Sequence, residues 1–202
     1  MDKLVYVLLM SLYVAAELPS QKERDSILKY HITLRKEVYP FARDMRTMNY
    51  SRKLERLADH WASRCKNEEP DPASDGEISF TSQNRAMVGG FKPSLSYAAS
   101  IWHSQSYAYN HTFNFCWGYC QSYKQMVWAT TTKLGCAINR CDNITTNLQK
   151  PIYFIVCVYA PPGGFFSTRP YTAGPSCSKC PRGYGCSDRL CVKRYTTGRK
   201  NK

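Results

Sequence analysis

The spacing of apolar residues predicts a first helix near the start of the chain. Ser20 and Glu23 have the spacing of a capping box, which marks a helix N-terminus. Apolar or buried-type side chains then recur every three or four residues, as on one face of a helix. That face consists of Ile27, His31, Leu34 and Val38. The pattern predicts an amphipathic helix that ends before Pro40.

Two further helices are predicted by the same periodicity. The second carries a clear buried stripe made of Leu54, Leu57, Ala58, Trp61, Ala62 and Cys65. The third is predicted over residues 94–107, with a buried face made of Leu95, Ala98, Ile101 and Trp102. Residues 71–80, rich in Pro, Asp, Ser and Gly, are predicted to form the loop between these helices.

The second half of the chain changes to strand character. Residues 134–139 and 152–159 are short apolar runs, and a Pro-Pro-Gly-Gly turn at 161–164 closes the second run. We expect the two runs to pair as an antiparallel sheet. After residue 166 the chain is rich in Pro and Gly and holds four cysteines, so disulfides must stabilise this segment.

The first residues predict export from the cell. An apolar run from Leu4 to Val14 is too short to span a bilayer and is followed by small residues that suit signal-peptide cleavage. We therefore expect a signal peptide at 1–16, one domain at 17–166, and a cysteine-rich hinge with a basic tail at 167–202. No later stretch is apolar enough to predict a transmembrane segment. The expected location is extracellular.

Two further features agree with secretion. The ten cysteines are an even number, and an oxidising compartment makes disulfides the expected state of all of them. Three sequons for N-linked glycosylation begin at Asn49, Asn110 and Asn143.

The chain is strongly basic, with 28 Lys and Arg against 15 Asp and Glu and a net charge of +13. A nucleic-acid partner is not expected, because the basic residues are scattered and no nucleic-acid-binding motif occurs. The charge favours anionic extracellular partners, such as lipid headgroups or sulfated matrix.

Two long motifs carry a resemblance to a known family. The first is Tyr-Lys-Gln-Met-Val-Trp at 123–128, followed by Leu-Gly-Cys at 134–136. The second is Phe-Ile-Val-Cys-Val-Tyr-Ala-Pro-Pro-Gly-Gly at 154–164. The chain thereby resembles the CAP superfamily of cysteine-rich secretory, antigen 5 and pathogenesis-related proteins, and most closely its venom-allergen-like branch. The resemblance implies an α+β fold, an α-β-α sandwich with a central antiparallel sheet and a small cysteine-rich C-terminal hinge.

The resemblance also implies how the cysteines pair, which the sequence alone leaves open. The implied disulfides are Cys65 with Cys141, Cys116 with Cys120, Cys136 with Cys157, Cys177 with Cys186, and Cys180 with Cys191.

Many relatives hold a divalent metal with two histidines and two glutamates, and this chain lacks that set. The aligned positions are Glu69, Gln83, Gln105 and Ser122. Neutral amides and a hydroxyl are poor zinc ligands and do not act as general bases near neutral pH. No metal, no cofactor and no catalysis are therefore expected. His31, on its apolar face, is expected to be a hydrogen-bonded core residue.

An aromatic run precedes the first motif, with rings on every second residue. Its members are Tyr107, Tyr109, His111, Phe113, Phe115, Trp117 and Tyr119. If the segment is extended, all seven rings share one face and the sequon at Asn110 points away from them. Such a face suits a sterol, and in sterol-binding relatives this place holds the sterol loop. The alternative is that the rings cover the sheet edge or pack into the core.

The resemblance implies a second lipid site, a fatty-acid channel between the first and third long helices. Its candidate lining is Ile27, Leu34, Val38, Leu95, Ala98 and Trp102, for which core packing is the alternative. The resulting hypothesis is a secreted, non-enzymatic protein that sequesters or carries sterols and fatty acids. The alternative is an extracellular protein-interaction or immune-modulating module that engages a host or tissue protein through its basic surface and hinge.

Overall fold

A computed structural model describes residues 18–68 and 80–194. The predicted signal peptide, Glu69, most of the 71–80 loop and the end of the basic tail lie outside the described residues. The helices are α1 (Gln21–Lys36), α2 (Arg52–Ser63), α3 (Leu95–Ser104) and α4 (Gln121–Met126). The strands are β1 (Asn49–Tyr50), β2 (Ser82–Gly89), β3 (Tyr109–Asn110), β4 (Phe115–Cys116), β5 (Lys133–Arg140), β6 (Ile152–Ala160), β7 (Tyr184–Ser187) and β8 (Leu190–Lys193).

The central sheet has the strand order β1-β5-β6-β2. The predicted antiparallel pairing of β5 with β6 is confirmed, and β2 pairs antiparallel with the other edge of β6. The sheet as a whole is mixed, which corrects the expected antiparallel sheet, because the two-residue strand β1 runs parallel to β5. Strand β1 leads directly into α2, whose N-cap is Ser51. The direction of β1 is set by this short connection to the helix.

Both faces of the sheet are covered, so the expected α-β-α sandwich is confirmed. One face of β6 packs with α1, α3 and α4, and the other face packs with α2. Gly135 in β5 allows α2 to lie directly on the sheet, because a Cβ atom there would stand 2.2 Å from the backbone nitrogen of Glu55.

The three predicted helices are confirmed, although α1 ends before Val38 and α3 ends at Ser104 instead of residue 107. Ser20 and Glu23 form the expected capping box, and Ser94 caps α3. Ile101 was predicted to be buried but is exposed, because the stripe through Leu95, Ala98 and Trp102 faces the core and Ile101 lies beside it. Cys65 follows the end of α2 rather than lying within it.

Arg35 is a buried cation that joins α1 to the segment before β5. Its side chain is 1% exposed and makes six hydrogen bonds, all to backbone carbonyls. Burial lowers the pKa of Arg35 to about 9, so the guanidinium is charged at neutral pH. The acceptors are the carbonyl groups of Arg46, Met126, Trp128, Ala129 and Thr131.

A buried ion pair joins α1 to α2. Arg24 binds both carboxylate oxygens of Glu55, at 2.6 and 2.9 Å, and the Tyr50 hydroxyl donates to the same carboxylate at 2.7 Å. Burial by itself would raise the pKa of Glu55, but the hydrogen bonds from Arg24 and Tyr50 outweigh it and hold the pKa below its usual value. The carboxylate is therefore ionised in the folded protein.

The structure contains the five disulfides that the resemblance implies, and none of the described cysteines is free. Two of them tie the C-terminal segment, where β7 and β8 form an antiparallel hairpin. Among the described residues, no helix is long and apolar enough to cross a membrane.

Candidate functional site

The aromatic run folds back on itself instead of extending. Strands β3 and β4 form a hairpin in which Tyr109 lies opposite Cys116 and Asn110 lies opposite Phe115. Residues 111–114 make the turn, where the side-chain oxygen of Asn110 accepts a hydrogen bond from the backbone N–H of Phe113 at 3.1 Å. The premise of one extended face is therefore wrong.

The reversal sends two of the seven rings inward. His111 is 7% exposed, stacks on Tyr171 with ring centroids 4.3 Å apart, and donates from Nε2 to the Tyr171 carbonyl. Tyr109 is half-buried and donates its hydroxyl hydrogen to Asn114 at 2.9 Å. Burial lowers the pKa of His111 and raises that of Tyr109 to about 12, so both are neutral at pH 7.

The other five rings are on the outside of the molecule. Phe113 is 77% exposed and Trp117 is 65% exposed, whereas the other three tryptophans are buried. The Phe115 and Trp117 rings meet edge to face at 4.9 Å. The exposed rings of the run are Tyr107, Phe113, Phe115, Trp117 and Tyr119. The alternative of core packing therefore applies only to Tyr109 and His111.

The predicted direction of the sequon also requires correction. Asn110 and Phe115 are directly opposite each other on neighbouring strands, and such pairs have side chains on the same face of a hairpin. A glycan on Asn110 would therefore extend from the side that carries Phe115, not away from it.

Lys124 makes buried polar contacts that hold this hairpin in place. Its side chain is almost fully buried, and its ammonium group donates to Asn114 Oδ1 at 3.2 Å and to the Phe166 carbonyl at 3.0 Å. The same group lies 5.3 Å from the centre of the Tyr109 ring. Burial lowers the pKa of Lys124. The lysine thus fixes the hairpin to the loop that follows β6.

That loop contributes a sixth ring that the sequence reasoning missed. Phe166 is 72% exposed, and its carbonyl also accepts from the Asn114 side chain at 3.4 Å. Its signal in the sequence is a pair of phenylalanines directly after the Pro-Pro-Gly-Gly turn. We call the set Tyr107, Phe113, Phe115, Trp117, Tyr119 and Phe166 the aromatic surface. The disulfide between Cys116 and Cys120 links the two ends of the short segment that carries Trp117 and Tyr119.

The residues proposed to line a fatty-acid channel are packed in the core. Ile27, Leu34, Val38, Leu95, Ala98 and Trp102 are all buried in one cluster. An open groove of about 410 Å³ does lie over the contact between α1 and α3, but of these six it includes only Leu34. Its other lining residues are Ser26, Lys29, Tyr30, Thr33, Glu37, Ser96 and His103. The Tyr30 hydroxyl lies 3.0 Å from His103 Nδ1 across the groove.

Three of the four positions aligned with the family's metal ligands are among the described residues, and all three carry side chains that are poor metal ligands. Gln105 accepts from the backbone N–H of Tyr123 at 3.2 Å, which places it beside buried Ser122. Gln83 lies opposite Val158, and its buried Nε2 has no hydrogen-bond partner among the described residues. The fourth position, Glu69, is outside the described residues. Two amides and a hydroxyl do not fit the family's zinc-binding set.

A neutral hydrogen-bonded network lies near these positions. His31 is fully buried, donates from Nδ1 to the Ile27 carbonyl at 2.9 Å, and accepts at Nε2 from the Tyr159 hydroxyl at 2.9 Å. Asn84 donates to that hydroxyl at 3.3 Å and to the Ser122 carbonyl at 2.9 Å. The prediction of a core histidine is confirmed. Burial lowers its pKa to about 4, and the positive charge of Arg35 lowers it as well.

One further cluster of metal-ligand residue types occurs in the described residues, and it is also unsuitable. It consists of Cys177, Cys180 and Cys191 in the hinge. All three are disulfide-bonded and so offer no thiolate.

A second open groove, of about 780 Å³, lies beside the hairpin. Asp44 lines this groove and accepts two hydrogen bonds from Thr172. Arg169 also lines the groove and donates to the carbonyls of His111 and Thr112. Trp128 and Thr130 also line this groove.

Comparison with known proteins gives consistent results. The family model described as "CAP: Cysteine-rich secretory protein family" matches residues 28–159. Peptidase inhibitor 15-A of Danio rerio is 35% identical over 186 residues, which cover 85% of this chain and 70% of that protein. Peptidase inhibitor 15 of Homo sapiens is 32% identical and covers 88% of this chain and 73% of its own length. The structure of venom allergen-like protein 4 of Schistosoma mansoni superposes with a TM-score of 0.63 at 30% identity, over 77% of this chain and 97% of that chain.

Proposed function

Because the chain belongs to the cysteine-rich secretory protein (CAP) family, we propose that it is a secreted, non-enzymatic protein that binds sterols on the aromatic surface. The observation that carries the proposal is the outward position of large rings on a braced hairpin, with Phe113 and Trp117 mostly exposed. A sterol offers a flat, rigid apolar face and one hydroxyl. The aromatic rings pack against the flat apolar face, and the phenol hydroxyls of Tyr107 and Tyr119 hydrogen-bond to the sterol hydroxyl.

The bracing of the hairpin supports a defined binding site over a flexible loop. Lys124, Asn114 and the disulfide between Cys116 and Cys120 hold the ring-bearing segments together before any ligand arrives. A site that is already ordered loses less conformational entropy on binding.

The absence of catalysis is part of the proposal. The described positions of the family cavity carry neutral side chains, and the buried His31 is a neutral imidazole without a carboxylate partner. A nucleophile with a positioned general base is needed for hydrolytic chemistry, and these residues provide neither.

A fatty acid is the proposed ligand of the groove between α1 and α3. Leu34 offers apolar surface at its floor, and Lys29 offers a cation for a carboxylate head, although Glu37 lines the same groove. The proposed fatty-acid site is therefore this groove, and not the six core residues named from the sequence. Lys29→Glu should weaken palmitate binding while leaving sterol binding intact.

Direct binding of radiolabelled cholesterol tests the main proposal. We expect saturable binding by correctly disulfide-bonded protein and its loss when Phe113, Phe115 and Trp117 are replaced by Ala. Phe91→Ala is the matched control, because Phe91 is an exposed ring that follows the opposite end of β2. Near-ultraviolet circular dichroism should show that all variants remain folded. Cholesterol binding that survives the triple replacement would refute the assignment.

A protein-interaction role is the second candidate, and the groove beside the hairpin favours it. This groove is the larger of the two, and it places the carboxylate of Asp44 and the guanidinium of Arg169 on its walls. Two of the relatives are named peptidase inhibitors, so an extracellular peptidase is the partner to test first. Inhibition of a serine peptidase that persists after lipid stripping, and that Thr130→Trp abolishes by filling the groove, would favour this role. Unchanged peptidase activity would count against it.

A further inference from the structure

The stretch of sequence that contains the aromatic surface is almost free of carboxylates. Between Glu77 and Asp188, Asp142 is the only acidic residue, whereas nine Lys and Arg occur there. Asp142 is paired with Arg140 at 2.7 Å, so its charge is already compensated. The carboxylate of Asp44 borders the neighbouring groove and is held by Thr172. The chain as a whole carries a net charge of +13, so an anionic surface that approaches it meets a net positive field.

The side chains of this surface are of the types that favour the boundary between water and lipid. Trp and Tyr concentrate at membrane interfaces because their rings are apolar and their N–H or O–H groups remain hydrated. Phe113 lies in the turn of the hairpin and is 77% exposed, and Trp117 follows directly after β4 and is 65% exposed. Rings that cap a hydrophobic core are mostly buried, and these are mostly exposed.

We propose that the aromatic surface docks the protein on lipid bilayers that carry anionic headgroups. The rings insert at the depth of the headgroups, and the net positive charge of the protein attracts the anionic lipid. The inference rests on the proposed function, since it takes the same surface to contact lipid, but it requires no sterol. It gives a sterol-binding protein direct access to the bilayer in which sterols are dissolved.

Tryptophan fluorescence gives a direct test, because Trp117 is the exposed one of the four tryptophans. Vesicles of phosphatidylcholine with about one fifth phosphatidylserine, free of sterol, should shift the emission to shorter wavelength, whereas pure phosphatidylcholine should give a much weaker response. Lipids brominated in the acyl chain should quench the shifted emission. Thr112→Ala should be present in every protein used, because it removes the Asn110 sequon without replacing Asn110.

Sedimentation with the same vesicles tests the residues. Replacing Phe113, Trp117 and Phe166 by Ser should weaken binding at least about tenfold, because the inserted apolar area supplies much of the affinity. Phe91→Ser, the matched exposed ring at the far end of β2, should change binding less than about twofold. Raising salt from about 0.1 M to about 1 M shortens the screening length from about 10 Å to about 3 Å and should release most of the protein.

The outcomes separate this inference from the proposed function. Loss of vesicle binding in the triple variant, with binding kept in Phe91→Ser, supports docking. Equal vesicle binding by the triple variant and the parent would overturn it, since charge alone would then explain the association. Cholesterol binding in solution without any vesicle binding would also overturn it while leaving the proposed function standing. Capture of a soluble protein by the aromatic surface, with no response to vesicles, would overturn it as well.

Discussion

The buried His31 makes the stability of the fold depend on pH above the range in which most carboxylates titrate. The folded protein needs a neutral imidazole, because Nε2 accepts the hydrogen bond from the Tyr159 hydroxyl. Protonation would place a hydrogen on Nε2 and a charge in the core beside Arg35. The pKa is accordingly lowered from 6.5 to about 4, with burial as the main cause.

The sign and size of the effect follow from this shift. Between the two pKa values the unfolded chain binds more protons than the folded one, so stability falls as pH falls below 6.5 and levels off below about 4. From about pH 7 to about pH 5, the loss attributable to His31 is about 2 kcal/mol. His103 and His111 have lowered pKa values as well, and they add to the total slope in the same direction.

Urea unfolding with the disulfides intact measures the contribution. The parent protein should lose about 2 kcal/mol more than His31→Gln over this pH interval, whatever the absolute stability of the variant. His60→Gln, which removes an exposed histidine from α2, is the matched control for the loss of a histidine. Equal slopes in the parent and His31→Gln would refute the reasoning. So would an imidazole resonance of His31 that titrates near its ordinary pKa, a test that requires no variant.

Four further changes test other parts of the structure. Arg35→Met removes the donor to the buried carbonyls of Met126 and Thr131 and should lower the unfolding free energy by about 3–5 kcal/mol in urea titrations. Glu55→Gln leaves Arg24 charged without its partner and should cost about 3 kcal/mol at neutral pH. The difference from the parent should shrink in acid, because the stability contributed by Glu55 is lost as pH falls through its lowered pKa. Gly135→Ala forces α2 away from β5 and should cost about 1–3 kcal/mol, seen as a lower melting temperature. Lys124→Met should weaken cholesterol and vesicle binding several-fold although the residue is buried, and unchanged affinities would show that the brace is dispensable.

The sequence predicted the helices and the central strand pair because each buries one continuous face. The apolar stripe of α2 and the apolar runs of β5 and β6 consist of the residues that are buried in the folded protein. Strand β2 was missed, since it is an edge strand with polar residues on both faces and only β6 as a partner. Strand β1 is two residues long and has no periodicity to detect.

The aromatic residues of the sequence indicated where the site lies, but they did not indicate its shape. Alternation along a segment cannot indicate that the segment reverses, and the turn at 111–114 has neither Gly nor Pro. Its local signals are Asn110, whose side chain accepts from the turn backbone, and Asn114, which takes a positive φ of 50°. The part played by Phe166 depends on a contact across 42 residues with Lys124, which no local pattern encodes.

The position of β6 also dictates when this protein can fold during its synthesis. Strand β2 has β6 as its only neighbour in the described sheet, and β5 has only the two residues of β1 besides β6. Until residues 152–160 leave the ribosome, the apolar faces of α1, α2 and α3 have no completed sheet to cover, and Cys136 has no Cys157 to join. The nascent chain therefore lacks its central strand, and exposes apolar surface, for most of its translation. Chaperone engagement and disulfide isomerisation are expected to concentrate on that interval.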